Sequence, residues 1–565
     1  MEALNLIYTL IDNRRFMVFC GAGISKNSGI PPVTPLLTKV LSSLGCEEGH
    51  IKSLFSSSFP FEAIMENFKE RVDILKFINV FNLKNPNSNH YLIAWLAKHH
   101  YLNTIVTTNF DENIEFALQS FGLSKQDDYI VITDFLNFNI ETFGDKIVLL
   151  KLHGSIQNPE SVLANMSKIA NRKNSTLMLD VLQQIFNSNR FENILVLGYS
   201  FSDHFDINPA LLNMPKCDKS IYYIKRQPED IPQKIEHCSR NIFTKFRSAH
   251  KLHCSFESII SNISNKFSLP KYLSKESDMW IKISEEWIAK EFDKDSFTNR
   301  YNCLGYLFIA AGFINISKHY ATLNVPKITN TIDGKILEML IADVVGKSYL
   351  KDPNERDATE ATKHYLKARE IAEELELIHY AIVFTGDLGS CYLMQQKFST
   401  AELLFKEALS YYEPLISIPE KREKIIEKYI RVSIHLAHSY AKRGAFTESI
   451  KLYKTIERIS EDEGLASCLE LCLTGQGLAR VINEDCKVGL NLFSTAYPIA
   501  KSYGSIDRIR SLFFLICSWM QEVDGIPKAE EFYNSEIKYI TNTTGFNRPF
   551  NEIPLKLIKD YKYKL

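Results

Sequence analysis

The sequence predicts two kinds of fold in one chain, a parallel α/β sheet domain followed by an all-α domain. Before about residue 265, short apolar or β-branched runs alternate with longer helical patterns. After about residue 270, Gly and Pro thin out, strand-like runs stop and helical periodicity dominates. The predicted domains are residues 1–265, a helical connector at 266–340 and a helical repeat domain at 341–565.

Five runs in the first domain read as strands buried on both faces of a Rossmann-like sheet: 16–20 (FMVFC), 104–108 (TIVTT), 146–152 (KIVLLKL), 194–199 (ILVLGY) and 221–225 (IYYIK). The longer intervals between them suit crossover helices. In such sheets ligands bind beyond the carboxyl ends of the strands. Because four of the runs end in polar or glycine-rich turns (GAGIS, NFDEN, HGS and SFSD), we expect these turns to form one site.

Each of these turns also has a purely structural interpretation. GAGIS is a phosphate-loop candidate, but two glycines also suit an ordinary strand-to-helix turn. Asn109 offers an amide for chemistry, yet Asn commonly caps a helix. His153 is a candidate general base or a structural histidine. Asp203 and His204 favour a turn or cap, and Cys20, in an apolar strand, a buried thiol.

The second domain contains an internal repeat. Residues 388–409 (LGSCYLMQQKFSTAELLFKEAL) superpose without gaps on 436–457 (LAHSYAKRGAFTESIKLYKTIE). Weaker copies align around 489–496 and 529–533. The pattern resembles the tetratricopeptide repeat (TPR), although the offsets of 40–48 residues exceed the usual 34. Such units stack into a solenoid that binds proteins; an irregular helical bundle is the alternative.

Composition excludes several classes of protein. The chain has 565 residues, with 66 Lys+Arg against 67 Asp+Glu and a net charge of -1, so nothing indicates nucleic-acid binding. The N-terminus has no basic start typical of a secretory signal, and apolar stretches such as 512–517 are too short to span a bilayer. We therefore expect a cytoplasmic protein without membrane association. The 11 cysteines form no CxxC pair, so no zinc site is predicted.

The ordered set of motifs resembles the sirtuin family. GAGIS followed by SGIP (28–31), TTNFDEN (107–113), LHGS (152–155) and GYS (198–200) occur in the family's order, with Pro86 and His90 before the second motif. The resemblance covers about residues 10–230 and implies an NAD-binding domain. It implies that Asn109 and Asp111 hold the nicotinamide ribose and carboxamide and that His153 is the general base. It also implies that NAD is lined by Gly21, Ala22, Gly23, Ser25, Asn109, Asp111, Gly198 and Ser200. On chemical grounds, the reaction also needs an amide that positions a water.

Departures from the family's pattern indicate the reaction. Protein-deacylating sirtuins carry two CxxC pairs and follow SGIP with Asp-Phe-Arg, whereas this chain has no CxxC and continues with Pro32-Val33-Thr34. Thr108 also stands where the deacylases have Gln. Without the zinc module an acetyl-lysine substrate has no evident seat, so water becomes the expected acceptor and NAD is hydrolysed to ADP-ribose and nicotinamide.

Zinc-free sirtuin-like domains fused to helical domains resemble bacterial antiphage effectors. That resemblance implies a regulated enzyme that depletes NAD during abortive infection, a helical sensor for a phage or host protein, and a homo-oligomer. Two alternatives stay open: an NAD-dependent deacylase or ADP-ribosyltransferase, and a non-catalytic adaptor that senses NAD or ADP-ribose.

Overall fold

The computed structural model describes residues 2–56, 59, 61–158, 161–162, 172–199, 201, 207–228, 231–238, 241–267, 278–351, 357–502 and 506–544. The strands are β1 (Phe16–Cys20), β2 (Thr104–Thr107), β3 (Tyr129–Ile132), β4 (Ile147–Lys151), β5 (Asn193–Leu197), β6 (Ser220–Arg226), β7 (Lys234–His237) and β8 (Ser248–Cys254). Short 3-10 helices cover Ala22–Ser28, Asn79–Phe81, Ile140–Phe143, Asn241–Lys245 and Val325–Lys327.

The α-helices before residue 300 are α1 (Glu2–Asp12), α2 (Val33–Ser43), α3 (Glu48–Ser56), α4 (Phe61–Lys69), α5 (Ile74–Ile78), α6 (Ser88–Lys98), α7 (Asn113–Ser120), α8 (Arg172–Asn187), α9 (Ile207–Asn213), α10 (Phe256–Lys266) and α11 (Met279–Glu291). The later ones are α12 (Arg300–Ala310), α13 (Ile314–Thr322), α14 (Ile332–Lys351), α15 (Ala358–Glu374), α16 (Ile378–Met394), α17 (Phe398–Ile416), α18 (Pro419–Lys442), α19 (Phe446–Asp462), α20 (Ala466–Ile482), α21 (Cys486–Ser502), α22 (Ile506–Val523) and α23 (Ile526–Thr544).

The eight described strands form one sheet in the order β3-β4-β2-β1-β5-β6-β8-β7. All neighbours are parallel except β7, which pairs antiparallel with β8 at the edge. Alternate residues of β1 serve two cores: Val18 packs among residues of α1, α6 and α7, and Phe19 packs among residues of α8 and α9. Both faces of the sheet are therefore covered, as the continuous apolar runs predicted.

By packing, the described residues fall into two units. One comprises residues 1–43, 73–169 and 173–289, and the other 44–72, 170–172 and 290–565. In the second unit Phe68 packs edge-on against Phe292, and the Arg71 guanidinium lies 3.7 Å from the centroid of the Tyr306 ring. Packing thus assigns residues 44–72 to the helical unit and extends the sheet unit to residue 289, whereas the sequence places the first limit at 265.

The helical unit consists of successive antiparallel helix pairs, in agreement with the predicted repeat. α16 and α17, α18 and α19, and α20 and α21 are each joined by three residues. A small residue on the first helix faces an aromatic ring on the second: a Cβ on Gly389 would lie 2.6 Å from the Phe405 ring, and one on Gly477 would lie 2.4 Å from that of Phe493. This repeated small-to-aromatic contact carries the periodicity seen in the sequence.

None of the described helices is both long and apolar enough to cross a bilayer.

Candidate active site

Turns that follow four neighbouring strands meet at the carboxyl edge of the sheet. β1 lies between β2 and β5, β4 lies on the far side of β2, and all four are parallel. After β1 the chain forms β2, β3 and β4, which all lie on one side of β1 in the sheet. It then returns to the other side of β1 to form β5. The turns after β1 and β5 therefore flank the point where the strand order reverses, which is where open α/β sheets bind ligands.

The glycines predicted to line NAD join two of these turns. The Gly23 N–H donates a hydrogen bond to the Gly198 carbonyl at 2.8 Å, and a Cβ on Gly23 would lie 2.7 Å from the Gly198 Cα. Gly21 approaches Tyr199 as closely, and Gly198 has a φ of 65°. Glycine is therefore required for backbone contact between the turns. The Gly23 N–H is used in this contact, and Ala22 and Gly23 are exposed. Ser200 lies outside the described residues.

The Ser25 hydroxyl is the centre of a buried polar cluster. Its Oγ donates to Asp111 Oδ2 at 3.0 Å, accepts from Asn109 Nδ2 at 3.1 Å and lies 3.1 Å from His90 Nε2. Asp111 Oδ1 in turn accepts from the Asn113 N–H at 3.0 Å. The structure thus brings three of the predicted residues together, Ser25, Asn109 and Asp111, around His90, which the sequence motifs include without a role in the site.

The cluster fixes the orientation of both ring and amide. His90 Nδ1 accepts from the Asn87 N–H at 3.1 Å, so the ring hydrogen must be on Nε2 and point at Ser25 Oγ. The single Ser25 hydrogen goes to Asp111, so Asn109 must donate to Ser25 through its nitrogen. Asn109 Oδ1 is therefore the amide atom turned away from Ser25.

His90 is a buried neutral base whose effect on stability depends on pH. It is fully buried, and burial lowers its pKa from 6.5 to about 4, opposed by the Asp111 carboxylate. Because the unfolded chain takes up a proton first, the stabilisation by neutral His90 is complete above about pH 6.5 and is lost as the pH falls towards 4.

Between pH 6.5 and 4 we expect the unfolding free energy of the wild type to fall by about 3 kcal/mol because of His90. In His90→Gln this part of the fall should be absent. Gln retains the helix-capping role, since residue 90 closes a capping box with Asn87 at the start of α6. The measurement is urea unfolding of both proteins across this pH range. His100→Gln is the control, because His100 is exposed at the end of the same helix and makes no contact with the cluster. An H90Q protein with the wild-type pH profile would contradict this role for His90.

Side-chain amides before and at the start of α6 donate hydrogen bonds to backbone carbonyls of the glycine-rich turn. Asn87 and Asn89 each donate to the Ile24 carbonyl at 2.8 Å, and Asn85 donates to the Ser28 carbonyl at 3.2 Å. The turn itself forms a 3-10 helix over Ala22–Ser28. These bonds satisfy backbone groups that an α-helix would otherwise satisfy.

A buried lysine anchors the turn that carries Asn109. Lys151 ends β4, is 0% exposed and donates to the Asp111 carbonyl at 2.5 Å and the Phe110 carbonyl at 3.2 Å. It also pairs with Glu115 Oε1 at 2.9 Å. Burial raises the pKa of the Glu115 carboxyl, and Lys151 opposes that rise. The ion pair therefore ties α7 and the turn after β2 to the end of β4.

His153 follows β4 and is half-buried, with its ring centroid 6.2 Å from that of Phe110. The next residue, Gly154, has a φ of 86°, and a Cβ there would lie 2.2 Å from the Ser161 carbonyl oxygen. The backbone therefore turns directly after His153, at a position that only glycine can easily occupy. His153 belongs to the same sheet edge as Asn109 and stays our candidate for the general base.

Cys20 takes the structural role that the sequence predicts. Cys20 is fully buried, and burial and then the Asp111 carboxylate raise the pKa of its thiol, so it is not a nucleophile. His99 and His100 are exposed at the end of α6. Asp203 and His204 lie outside the described residues.

Two residues that support the site, Lys151 and His90, carried weak signals in the sequence. Lys151 is a single charge within the apolar run KIVLLKL, and a charge in a strand buried on both faces needs a partner. His90 follows Asn87 by three residues, the spacing of a capping box. Neither signal reveals that the side chain contacts a turn more than 35 residues away along the chain.

The helical unit contains a cavity of about 580 Å³. α14, α16 and α18 supply most of its charged lining: Asp343, Lys347, His379, Asp387, Lys428 and Arg431. Lys428 Nζ lies 2.8 Å from His379 Nε2, and burial lowers the pKa of both groups. Burial also raises the pKa of Asp387 to about 7. The helical-unit cavity is therefore lined by cations, carboxyl groups and aromatic rings. Its volume suits a small ligand or several side chains of a partner protein.

Comparison with known protein families gives a match in the part of the chain that forms the sheet. A family model described as a SIR2-like domain matches residues 103–213, which include Asn109, Asp111, His153 and Gly198. A comparison with curated proteins gave no significant match.

Solved structures similar to this chain are helical repeat proteins. A Rap protein complexed with Competence and Sporulation Factor is 14% identical with a TM-score of 0.37, covering 48% of this chain and 72% of that chain. NprR in complex with its cognate peptide NprX is 14% identical with a TM-score of 0.37, covering 51% and 79%. A STAND protein with a tetratricopeptide repeat sensor from Pyrococcus horikoshii is 13% identical with a TM-score of 0.24, covering 98% and 91%. The chain thus matches a SIR2-like domain model over residues 103–213, ahead of a helical region built of antiparallel helix pairs.

Proposed function

We propose that the sheet unit hydrolyses NAD⁺ to ADP-ribose and nicotinamide. The observation that carries this proposal is the buried cluster of Ser25, His90, Asn109 and Asp111 at the reversal point of the sheet, within a chain that matches a SIR2-like domain. Most of the cluster is neutral, which suits a substrate whose reacting part is a ribose and a carboxamide rather than a phosphate.

The reaction requires one bond exchange at the ribose. Oxygen of water attacks ribose C1, the C1–N bond to the pyridinium breaks with its electron pair going to nitrogen, and neutral nicotinamide leaves. The proton of the water passes to His153. Asn109 Oδ1, turned away from Ser25, accepts a hydrogen bond from that water and positions it. Ser25 acts through Asn109, because its hydroxyl oxygen accepts the hydrogen bond of the amide, and Asp111 acts one step further back by accepting the hydrogen bond of Ser25.

Water rather than acyl-lysine is the proposed acceptor because the sequence contains no CxxC pair for the peptide-binding zinc module of the deacylases. The test is to incubate the purified full chain with NAD⁺ and resolve the products by liquid chromatography, with and without acetylated peptide. We expect free ADP-ribose and nicotinamide in equal amounts in both cases. Acetyl-ADP-ribose, or ADP-ribose attached to protein, would favour the transferase alternatives, and intact NAD⁺ throughout would favour a sensor.

We further propose that the activity is restrained until a phage or host protein engages the helical unit, and that the active form is a homo-oligomer. An unrestrained NADase would kill its host. The supporting observation is the helical-unit cavity, whose mixed charges suit a protein segment carrying both acidic and basic groups.

Lys428→Ala is expected to suppress NAD⁺ loss in infected cells while leaving the fold intact. Lys428 is partly buried in the cavity and contacts His379, so the variant removes a cation that a bound carboxylate would meet. NAD⁺ is measured in expressing cells before and after phage infection. Lys487→Ala, an exposed lysine on α21, serves as the control. If infected K428A cells lose NAD⁺ as fast as wild type, the cavity is not the trigger site.

A further inference from the structure

A cluster of metal-ligating side chains lies within the helical unit, apart from both sites above. Glu47 and His50 stand at the start of α3, and His319 lies on α13. His319 Nε2 is 2.9 Å from Glu47 Oε1, and His50 Nε2 is 3.8 Å from Glu47 Oε2. One ligand atom from each residue falls within 4.8 Å of the others. Donors of a tetrahedral zinc ion lie about 3.3 Å apart, so small side-chain rotations suffice.

A buried tyrosine orients His50 for coordination. Tyr320 is 0% exposed; its hydroxyl donates to Cys46 Sγ at 3.3 Å and accepts from the Glu47 N–H at 2.9 Å. Its hydrogen is therefore used, and His50 Nδ1, at 2.9 Å, must donate to the Tyr320 oxygen. The neutral His50 ring then has its lone pair on Nε2, the atom that faces Glu47. Metal-binding histidines are typically fixed through the second ring nitrogen in this way.

The donor set indicates the class of metal. Two imidazoles and one carboxylate suit Zn²⁺ and neighbouring divalent transition metals, whereas Ca²⁺ and Mg²⁺ prefer all-oxygen sites. The Glu47 side chain is 58% exposed and that of His319 is 39% exposed, so water can complete the coordination. Cys46 Sγ already accepts the Tyr320 hydroxyl and makes no fourth ligand.

We propose that Glu47, His50 and His319 bind a divalent transition-metal ion of the zinc class. The ligands come from segments about 270 residues apart in the chain, so the ion would tie α3 to α13 within the helical unit. Residues 44–72 form an insertion between parts of the sheet unit, and a metal bond would secure that insertion to the helices with which it packs.

The test uses the purified full chain, stripped with chelator and titrated with Co²⁺ and then Zn²⁺. We expect visible d–d absorption for one Co²⁺ per chain, abolished by excess Zn²⁺. His50→Ala and His319→Ala should each weaken Co²⁺ binding at least tenfold, and Tyr320→Phe, which only orients His50, should weaken it about 10–100-fold. His100→Ala, which removes an exposed histidine of the sheet unit, is the matched control.

Glu47→Gln keeps the size of the side chain and guards against misfolding as the cause of lost binding. Circular dichroism of each metal-free variant separates the two effects. If Co²⁺ gives no specific band, or if the four site variants bind it as tightly as H100A, the cluster is only the His319–Glu47 hydrogen bond and the proposal is wrong.

Discussion

His153→Ala is expected to lower kcat of NAD⁺ hydrolysis about 10²–10⁴-fold, the usual contribution of a positioned general base. KM should change little, because the imidazole acts on the proton of the attacking water and not on the bound ADP-ribose moiety. The ring is half-buried and contacts Phe110, so its removal should cost only about 1 kcal/mol of stability. The measurement is nicotinamide release under saturating NAD⁺, alongside thermal unfolding.

His100→Ala provides the control for this prediction, since His100 is exposed at the end of α6. It should retain wild-type kcat and toxicity. A pH–rate profile adds a second readout: the wild-type rate should fall at acid pH as the base is protonated, and the residual rate of H153A should lose that limb. If H153A keeps wild-type kcat, another group accepts the proton and the role assigned to His153 is wrong.

Lys151→Met is expected to destabilise the sheet unit by about 3–5 kcal/mol, because it leaves the Glu115 carboxyl buried without its cation. The same substitution releases the Phe110 and Asp111 carbonyls that Lys151 holds, so the turn with Asn109 should lose its position. Burial raises the pKa of Glu115, and without Lys151 it should rise further. The loss of stability should therefore grow as the pH rises from the ordinary Glu pKa of 4.5 towards the raised pKa of buried Glu115, because the unfolded chain releases its proton first, and it should level off above the raised pKa.

The double variant Lys151→Met with Glu115→Gln should recover part of the stability, since it removes the unpaired charge as well as its partner. Lys98→Met, an exposed lysine on α6, is the control for the loss of a lysine alone. Urea unfolding at several pH values measures all three. A K151M protein as stable as K98M would show that Lys151 is not an anchor of the turn.

The prediction of strands from the sequence succeeded where strands are buried on both faces. β1 occupies the predicted residues 16–20, and each of the other four predicted runs overlaps a strand whose ends lie within two residues of the predicted ones. β3, β7 and β8 were missed because they lie at or near the edges of the sheet, where fewer side chains are buried. β7 has mostly exposed side chains, and β8 alternates apolar with polar residues. Composition gives little warning of such strands.

The helical half shows a different limit. The repeat was visible because each helix pair needs a small residue opposite an aromatic one, as Gly389 faces Phe405. The segment 44–72 contains no comparable pattern, and its packing with α12 depends on Arg71 and Tyr306, which are distant in sequence. A sequence read in order therefore assigns the segment to the domain that surrounds it.

The sequence by itself determined that the chain has a parallel sheet followed by helical repeats, and that Ser25, Asn109, Asp111 and His153 occur in turns at strand ends. Those properties follow from local patterns of apolar and small residues. Only the tertiary structure showed that the backbones of Gly23 and Gly198 are in direct contact. It also showed that His90 contacts Ser25 and that Lys151 bonds the turn carrying Asn109. A buried polar group must find a partner wherever the fold supplies one, and the choice of partner is made in space.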